Sequence, residues 1–461
     1  MPQHLLTRRR VLAAAPAATL ARPGALDVIV VGAGLAGLHA AQLLEDQGAR
    51  VRLLEGDHRI GGRVRTLSDV PERCETGGAE IGPYYARVLA EAERFKLTLR
   101  PGAIPKIDFA LHVGGALMAP AAWTSSPANP STGAARALPP FGLPSLVLPR
   151  ESGLKELESW LEEARHSDDP SLLDLCIRQG LDADAVRLLT LSLEADTPAQ
   201  ESLLWARRKR KILEWAGGNL SAFSHVVGGM SLLPEAIAKS LHGDVLLGRE
   251  VVAMDADAAG VTAVCADGSR HRAKRAVCTA PLPVLRRIAL APRLPPLQAA
   301  AVAAIPMGQA VSLYLRILEP FWEIDGLGSS LWSDRVGRAM RWATPSGAYV
   351  WVVVSGAASR PYRALSDADL RERLFGDLLA ARPSMRGRVE PIAVMNWSAN
   401  RFSGGTFAFR APGQIGLYGN VAAAAHGRIH FAGEHTAELL SGLEGAMESG
   451  ERAAVEVLRV L

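Results

Sequence analysis

Residues 27–37 read DVIVVGAGLAG, a short apolar run followed by three glycines that open a helix-like stretch. No other feature restricts the fold of this chain as strongly. Its pattern predicts a buried strand over residues 26–31, a helix over 35–47 and a second strand, VRLL, over 51–54. In such a strand–turn–helix–strand unit, Gly32 permits the tight turn. Gly34 lets a pyrophosphate approach the backbone, and Gly37 lets the helix pack on the strand. The helix N-terminus then offers unpaired N–H groups and positive partial charge to phosphates. Glu55 closes the second strand, where a carboxylate can bind ribose hydroxyls. The unit predicts an α/β, Rossmann-type dinucleotide site.

The residues that follow favour FAD over NAD. In GDHRIGGRVRT, Gly61 and Gly62 make a second tight turn and Arg63 adds a cation. A second phosphate-facing turn with a cation suits the pyrophosphate of FAD. In ETGGAEIG, residues 75–82, Gly77 and Gly78 would let the backbone approach an isoalloxazine closely, with Ala79 beside them. Strand-like VLLGREVVAMDA brings in Val251. The C-terminal stretch IHFAGEHTAELLSGLEGAMESGERAA carries a strand that ends at Gly433 and Glu434, then a final helix over 443–460. There Ser441 and Glu444 have the S-x-x-E spacing of a capping box, with Gly442 and Leu443 between them. A helix N-terminus aimed at the flavin N1–C2=O edge would stabilise its anionic reduced form.

These signals come in three separated pieces, and 461 residues exceed what one compact domain usually holds. Between them, residues 101–150 are rich in Pro, Gly and Ala, and FALHVGGALMA predicts a hairpin. Residues 151–215 carry helical periodicity. Residues 301–395 mix strands, VSLYLRI and YVWVVVS, with a helix over 366–381.

Formal net charge is +4, and Arg8, Arg9 and Arg10 supply three of those charges, so the body is near neutral. Bulk charge gives no reason to expect nucleic acid. The basic run RRKRK, residues 207–211, reads as a solvated face of a helix. Those three N-terminal arginines precede a short Ala-rich segment in TRRRVLAAAPAATLA, with small residues at Thr19 and Ala21. This resembles a twin-arginine export signal and predicts a periplasmic or exported protein, with a cytoplasmic one as the alternative. No apolar run is long enough to predict a membrane span. Cys74, Cys176, Cys265 and Cys278 have neither metal-ligand nor redox spacing, and no metal site is expected.

Taken in order, GAGLAG, Glu55, GGRVRT, TGGAEIG and FAGEHT…GLEGAMESGERAA resemble the flavin-containing amine oxidase family, whose members include monoamine, polyamine and L-amino-acid oxidases. The match runs through nearly the whole body from about Leu26. The resemblance implies an FAD-binding domain built from three discontinuous segments, 26–90, 215–300 and 395–461. It also implies an α+β substrate domain from 91–214 and 301–394 with a helical insertion, behind a signal or tail over 1–25. It further implies hydride transfer from the carbon bearing an amine, an imine hydrolysed to a carbonyl compound and ammonia, and reoxidation by dioxygen or another acceptor.

Three positions decide how far the resemblance extends. NWSANRFSGGTFAF resembles a segment that in monoamine oxidases bears a flavin-linked cysteine. Thr406 stands there, so FAD is expected to be non-covalent. Trp397 and Phe407 match aromatic positions flanking the flavin, while the second wall of the amine cage falls near Leu443, which is not aromatic. Ser312 occupies a position where the family usually has a lysine that assists reaction with dioxygen, which points to slow reoxidation by dioxygen or a different acceptor. Glu80 stands where L-amino-acid oxidases carry a carboxylate-binding arginine. An acid there repels a carboxylate and attracts an ammonium, unless it pairs with a neighbour such as Arg87. His435 and His58 sit in motifs, and His435 is expected to fix backbone rather than move protons.

The expected activity is oxidation of an amine C–N bond. The alternatives are an L-amino-acid oxidase, a dehydrogenase or desaturase of the same fold, and a flavoprotein without catalysis. Homodimerisation stays open.

Overall fold

The computed structural model describes residues 25–102, 107–148, 151–164, 168–193, 195–215, 217, 222–344 and 346–461. The expected signal segment, with Arg8, Arg9, Arg10, Thr19 and Ala21, lies outside the described residues.

Strand Leu26–Val31 is the hub of an eight-stranded sheet, parallel to Val51–Leu54 on one side and to Arg270–Cys278 on the other. Its side chains alternate between two cores. Val28 and Val30 pack with helices Leu35–Asp46 and Gly442–Leu458, while Ile29 and Val31 pack with Met254, Val261 and Leu282. Each fully buried aliphatic side chain of this kind contributes about 1.5–3 kcal/mol. The two helices touch closely: a Cβ on Gly450 would lie 2.4 Å from the Ala36 carbonyl oxygen. Strands Val251–Ala256 and Val261–Cys265 extend the sheet as an antiparallel pair, and Ile429–Phe431 joins Arg270–Cys278 in parallel. Strands from well-separated stretches of sequence therefore make one sheet.

The second sheet has seven strands, in the order Val389–Asn396, Ala310–Ile317, Gly347–Ser355, Gly337–Thr344, Ser330–Ser333, Phe109–Val113 and Ala116–Met118. The last two form the expected hairpin. One face packs on helix Asp367–Ala381, with Val311, Leu313, Val350 and Val352 against Leu370, Leu374 and Leu378. That helix starts where Ser366 accepts a hydrogen bond from the Asp369 amide at 3.2 Å. The opposite face of the sheet, by strand alternation, is left for the site.

Residues 151–215 depart from one long helical pattern. The described helices are short, Ser159–Glu163, Leu172–Arg178 and Ala183–Thr190, followed by the longer Leu203–Trp215. Gly180, at a φ of 71°, and Pro198 interrupt the periodicity. The charge run on the last helix also departs from expectation. Arg208 is buried rather than solvated, because Trp160 and Trp205 stack on it from two helices.

Candidate active site

A cavity of about 470 Å³ lies between the two sheets, at the carboxyl ends of the parallel strands. Ligands of open α/β sheets bind at such ends. Toward the first sheet its wall includes Gly32, Gly34, Glu55, Gly61, Gly62 and Val251. Arg63, Gly433 and Glu434 complete that side. Gly77, Gly78, Ala79, Glu80, Gly442 and Leu443 also line it, as do Ser312, Trp397 and Phe407.

Gly37 is off the wall and serves packing: a Cβ there would lie 1.9 Å from the Gly32 carbonyl oxygen. Helix Leu35–Asp46 begins at Gly34 with no side-chain cap, which leaves first-turn amides open to a ligand. The two glycine turns abut, with the Gly61 amide donating to the Ala33 carbonyl at 2.8 Å. Glu55 accepts from the amides of Ala33 at 2.6 Å and Asp57 at 2.8 Å, and its burial raises its pKa. The Thr406 hydroxyl is buried on this wall with no hydrogen-bond partner among the described residues. An uncapped helix start, a ribose-facing acid and an orphaned hydroxyl fit a dinucleotide, FAD included.

Several expectations about individual residues are corrected. Arg63 is not a free cation for phosphate. Its Nη1 donates to Glu434 at 2.8 Å and to the Thr406 carbonyl at 2.7 Å, so a carboxylate already balances it. Gly77 and Gly78 line the cavity as expected of glycines beside a cofactor, and protein packing demands them as well. A Cβ would lie 2.4 Å from the Arg63 carbonyl oxygen at Gly77, and 2.8 Å from Leu443 at Gly78. The capping box of Ser441 and Glu444 does not form. Ser441 makes no cap bond, and the buried Glu444 carboxylate instead accepts from the Arg87 and Val88 amides and pairs with Arg87. Arg87 also pairs with Glu451, so it is committed away from Glu80. The final helix spans Gly442–Leu458.

Glu80 faces the cavity with no side-chain partner among the described residues, and burial raises its pKa. Nearby Glu75 is pushed to about 7 by burial, although the Met230 amide and the Thr66 hydroxyl each donate to it at 2.8 Å. His435 is driven down to about 3 by burial, with Arg63, Arg410 and Arg452 adding to the effect, so it stays neutral. It fills the space left by Gly433, where a Cβ would lie 2.5 Å from its ring. His58 is exposed beside Gly248.

The second aromatic wall comes not from Leu443 but from the second sheet. Trp342, Tyr349 and Trp351 project from the second sheet into the cavity, and the rings of Trp342 and Trp351 meet edge-on at 5.7 Å. Trp397 is anchored by its Nε1–H to the Thr76 carbonyl at 2.9 Å. Trp351 Nε1–H donates to Ser312 Oγ at 3.1 Å, which fixes that hydroxyl on the cavity floor. The alternation in YVWVVVS could have put Tyr349 and Trp351 on one face, but their cavity side follows only from register with other strands. All four cysteines are buried and unpaired. Among the described residues, no group of three His, Cys, Asp or Glu side chains could hold a metal ion.

The fold and cavity define a dinucleotide-binding α/β protein whose second sheet closes over the reactive end of the groove. A family model for flavin-containing amine oxidoreductases matches residues 35–458. The chain belongs to that family and is an oxidoreductase acting on CH–NH groups. It is 27% identical to amine oxidase [flavin-containing] B of Bos taurus over 472 residues, covering 94% of this chain and 86% of that protein. It is also 27% identical to an L-amino-acid oxidase of Demansia vestigiata over 467 residues, with the same coverage. Among solved structures, the cyclohexylamine oxidase of Brevibacterium oxydans superposes with a TM-score of 0.74 at 23% identity, covering 95% of this chain and 99% of that one. Putrescine oxidase bound to putrescine gives 0.73 at 20% identity, with the same coverage. At these identities the two structures speak to fold.

Proposed function

We propose that this chain oxidises the C–N bond of a monoamine with an apolar or aromatic body, using FAD held without a covalent bond. When bound, the flavin supplies the hydride acceptor. The observation that carries the substrate reading is Glu80, a carboxylate with no side-chain partner among the described residues, facing a cavity to which the second sheet contributes Trp342, Tyr349 and Trp351. Glu80 attracts the ammonium group, and Trp342, Tyr349, Trp351 and Phe407 take the body and exclude water. A cationic amine has no lone pair to share as the C–H bond breaks, so these apolar walls also favour its neutral form. Thr406 stands where the resemblance places a flavin-linked cysteine, which supports non-covalent binding.

A diamine or polyamine needs a second free anion. The other acids on the wall are engaged: Glu75 with Thr66 and Met230, Glu434 with Arg63, Glu250 with Arg401, Asp57 with Arg59, and Glu55 with backbone amides. A second reading, an α-amino acid substrate, draws on Arg338. It lines the cavity and shares a register row with Val353 and Ser312, two strands from the serine. The N-terminal TRRRVLAAAPAATLA supports export by the twin-arginine route, which carries folded, cofactor-loaded protein. Among the described residues no helix is long and apolar enough to cross a membrane.

Glu80→Gln separates the two substrate readings. KM for a cationic monoamine rises about tenfold, worth about 1.4 kcal/mol, with flavin content unchanged. In the native enzyme, KM falls as pH rises through the raised pKa of Glu80, because the attracting carboxylate is then charged. An unchanged amine KM in the variant, with amino acids turned over faster than amines, contradicts the monoamine reading.

A further inference from the structure

The run RRKRK takes no part in the cavity, and most of it is neutralised locally. Arg207 pairs with Glu163 and Lys209 with Glu201, while Arg210 and Lys211 approach Glu214. Arg208 is different. It is 1% exposed, with its guanidinium carbon 4.7 Å from the Trp160 ring and 4.6 Å from the Trp205 ring. Its Nη2 donates to the carbonyls of Glu438 at 3.3 Å and Leu440 at 3.2 Å. Trp160 Nε1–H donates to the same Glu438 carbonyl at 3.0 Å. From the other side, the Glu448 carboxylate accepts from the amides of Glu438 at 2.8 Å and of Leu439 and Leu440 at 3.1 Å. The loop over 438–441 is thus held by its carbonyls on a buried cation and by its amides on a buried anion.

That loop leads straight into Gly442 and Leu443, the first residues of the final helix, which line the cavity. No side chain caps this helix. Its start is held on one hand by Glu444, tied to Arg87 and the Val88 amide, and on the other by the anchor on the preceding loop. Burying a guanidinium costs several kcal/mol unless its partners compensate. Here two indole faces, two carbonyls and the nearby Glu448 carboxylate offset part of that cost, while the buried Nε has no partner among the described residues.

We propose that Arg208 is a positioning residue: it fixes the loop over 438–441, holds the N-terminus of the final helix against the bound flavin, and so sets flavin affinity and reduction potential. The helical insertion thereby acts on the cofactor without touching it. A helix N-terminus stabilises nearby negative charge only over a short range, so a small retreat weakens its hold on the reduced, anionic flavin. This inference rests on the flavin cofactor and is independent of which amine is oxidised.

The test uses the full-length protein, with FAD titrated into apoprotein by fluorescence and the midpoint potential measured by dye equilibration. Arg208→Met removes the anchor. Arg208→Lys keeps the charge between the indoles, but one ammonium cannot hold both carbonyls. Both weaken FAD binding about tenfold. Both lower the potential by roughly 30 mV, which is a tenfold loss for a two-electron couple. Glu448→Gln separates position from charge. Loss of a negative charge alone raises the potential, whereas a loosened loop lowers it, and we expect it lower. Wild-type affinity and potential in folded Arg208→Lys, or a raised potential in Glu448→Gln, overturns the proposal. So does a lower melting temperature with the potential unmoved. If Arg208→Met fails to fold, the other two variants decide. Wild-type protein that takes up no flavin overturns the flavin reading itself, whereas normal uptake with unaltered variants removes only this inference.

Discussion

Ser312 is neutral, 3% exposed and tied to the Trp351 indole, at a position where the resemblance places a lysine. A fixed cation there would stabilise negative charge developing on dioxygen in a site that excludes water. Ser312→Lys is therefore expected to speed reoxidation by dioxygen about tenfold or more, about 1.4 kcal/mol off the barrier. Stopped-flow mixing of reduced enzyme with air-saturated buffer reads this directly, and equal rates would remove the role assigned to the serine. Ser312, Glu80, Trp397 and Thr406 were legible in the sequence because short motifs carry them. Trp342 and Trp351 were not, because which face of a strand meets a cavity depends on pairing with strands far away in sequence. Arg208 was misread for a related reason. A basic run looks solvated until Trp160, from a separate helix, is seen to cover one of its members.

The strand–glycine–helix unit was legible nearly to the residue, because each of its glycines answers a local demand. Those demands differ, and substitution separates them. At Gly37 a Cβ would collide with the Gly32 carbonyl at 1.9 Å, whereas at Gly34 it would meet no protein atom within 4 Å. Gly37→Ala is expected to destabilise the apoprotein by about 1–3 kcal/mol through overpacking. Gly34→Ala is expected to leave apoprotein melting unchanged and to weaken FAD binding, since its methyl enters the space kept for phosphate. Thermal melts with and without FAD distinguish the two, and equal melting of both apoproteins would contradict the assignment. The start of the final helix was less legible. The S-x-x-E spacing at Ser441 is a local signal, but Arg87 and the start of helix Ala86–Arg94 claim the Glu444 carboxylate. A long-range ion pair outcompetes a cap here.

Across the molecule, stretches distant in sequence meet at one cavity, and single contacts join them. Arg63 of the first stretch holds Glu434 and the Thr406 carbonyl of the last. The Trp397 indole holds the Thr76 carbonyl. The second sheet then turns an aromatic face toward the cavity, whose lining also includes Glu80, the acid that the proposed function gives to a cationic substrate. That division was visible in outline from the order of the motifs. The aromatic character of the substrate wall was not, since it arises only when two sheets are brought face to face. Anaerobic mixing of the flavin-loaded protein with monoamines, diamines and amino acids tests this arrangement most directly. Loss of oxidised-flavin absorbance with a monoamine of apolar or aromatic body, faster than with diamines or amino acids, is the predicted result. Oxidised flavin that persists with every amine offered would contradict it.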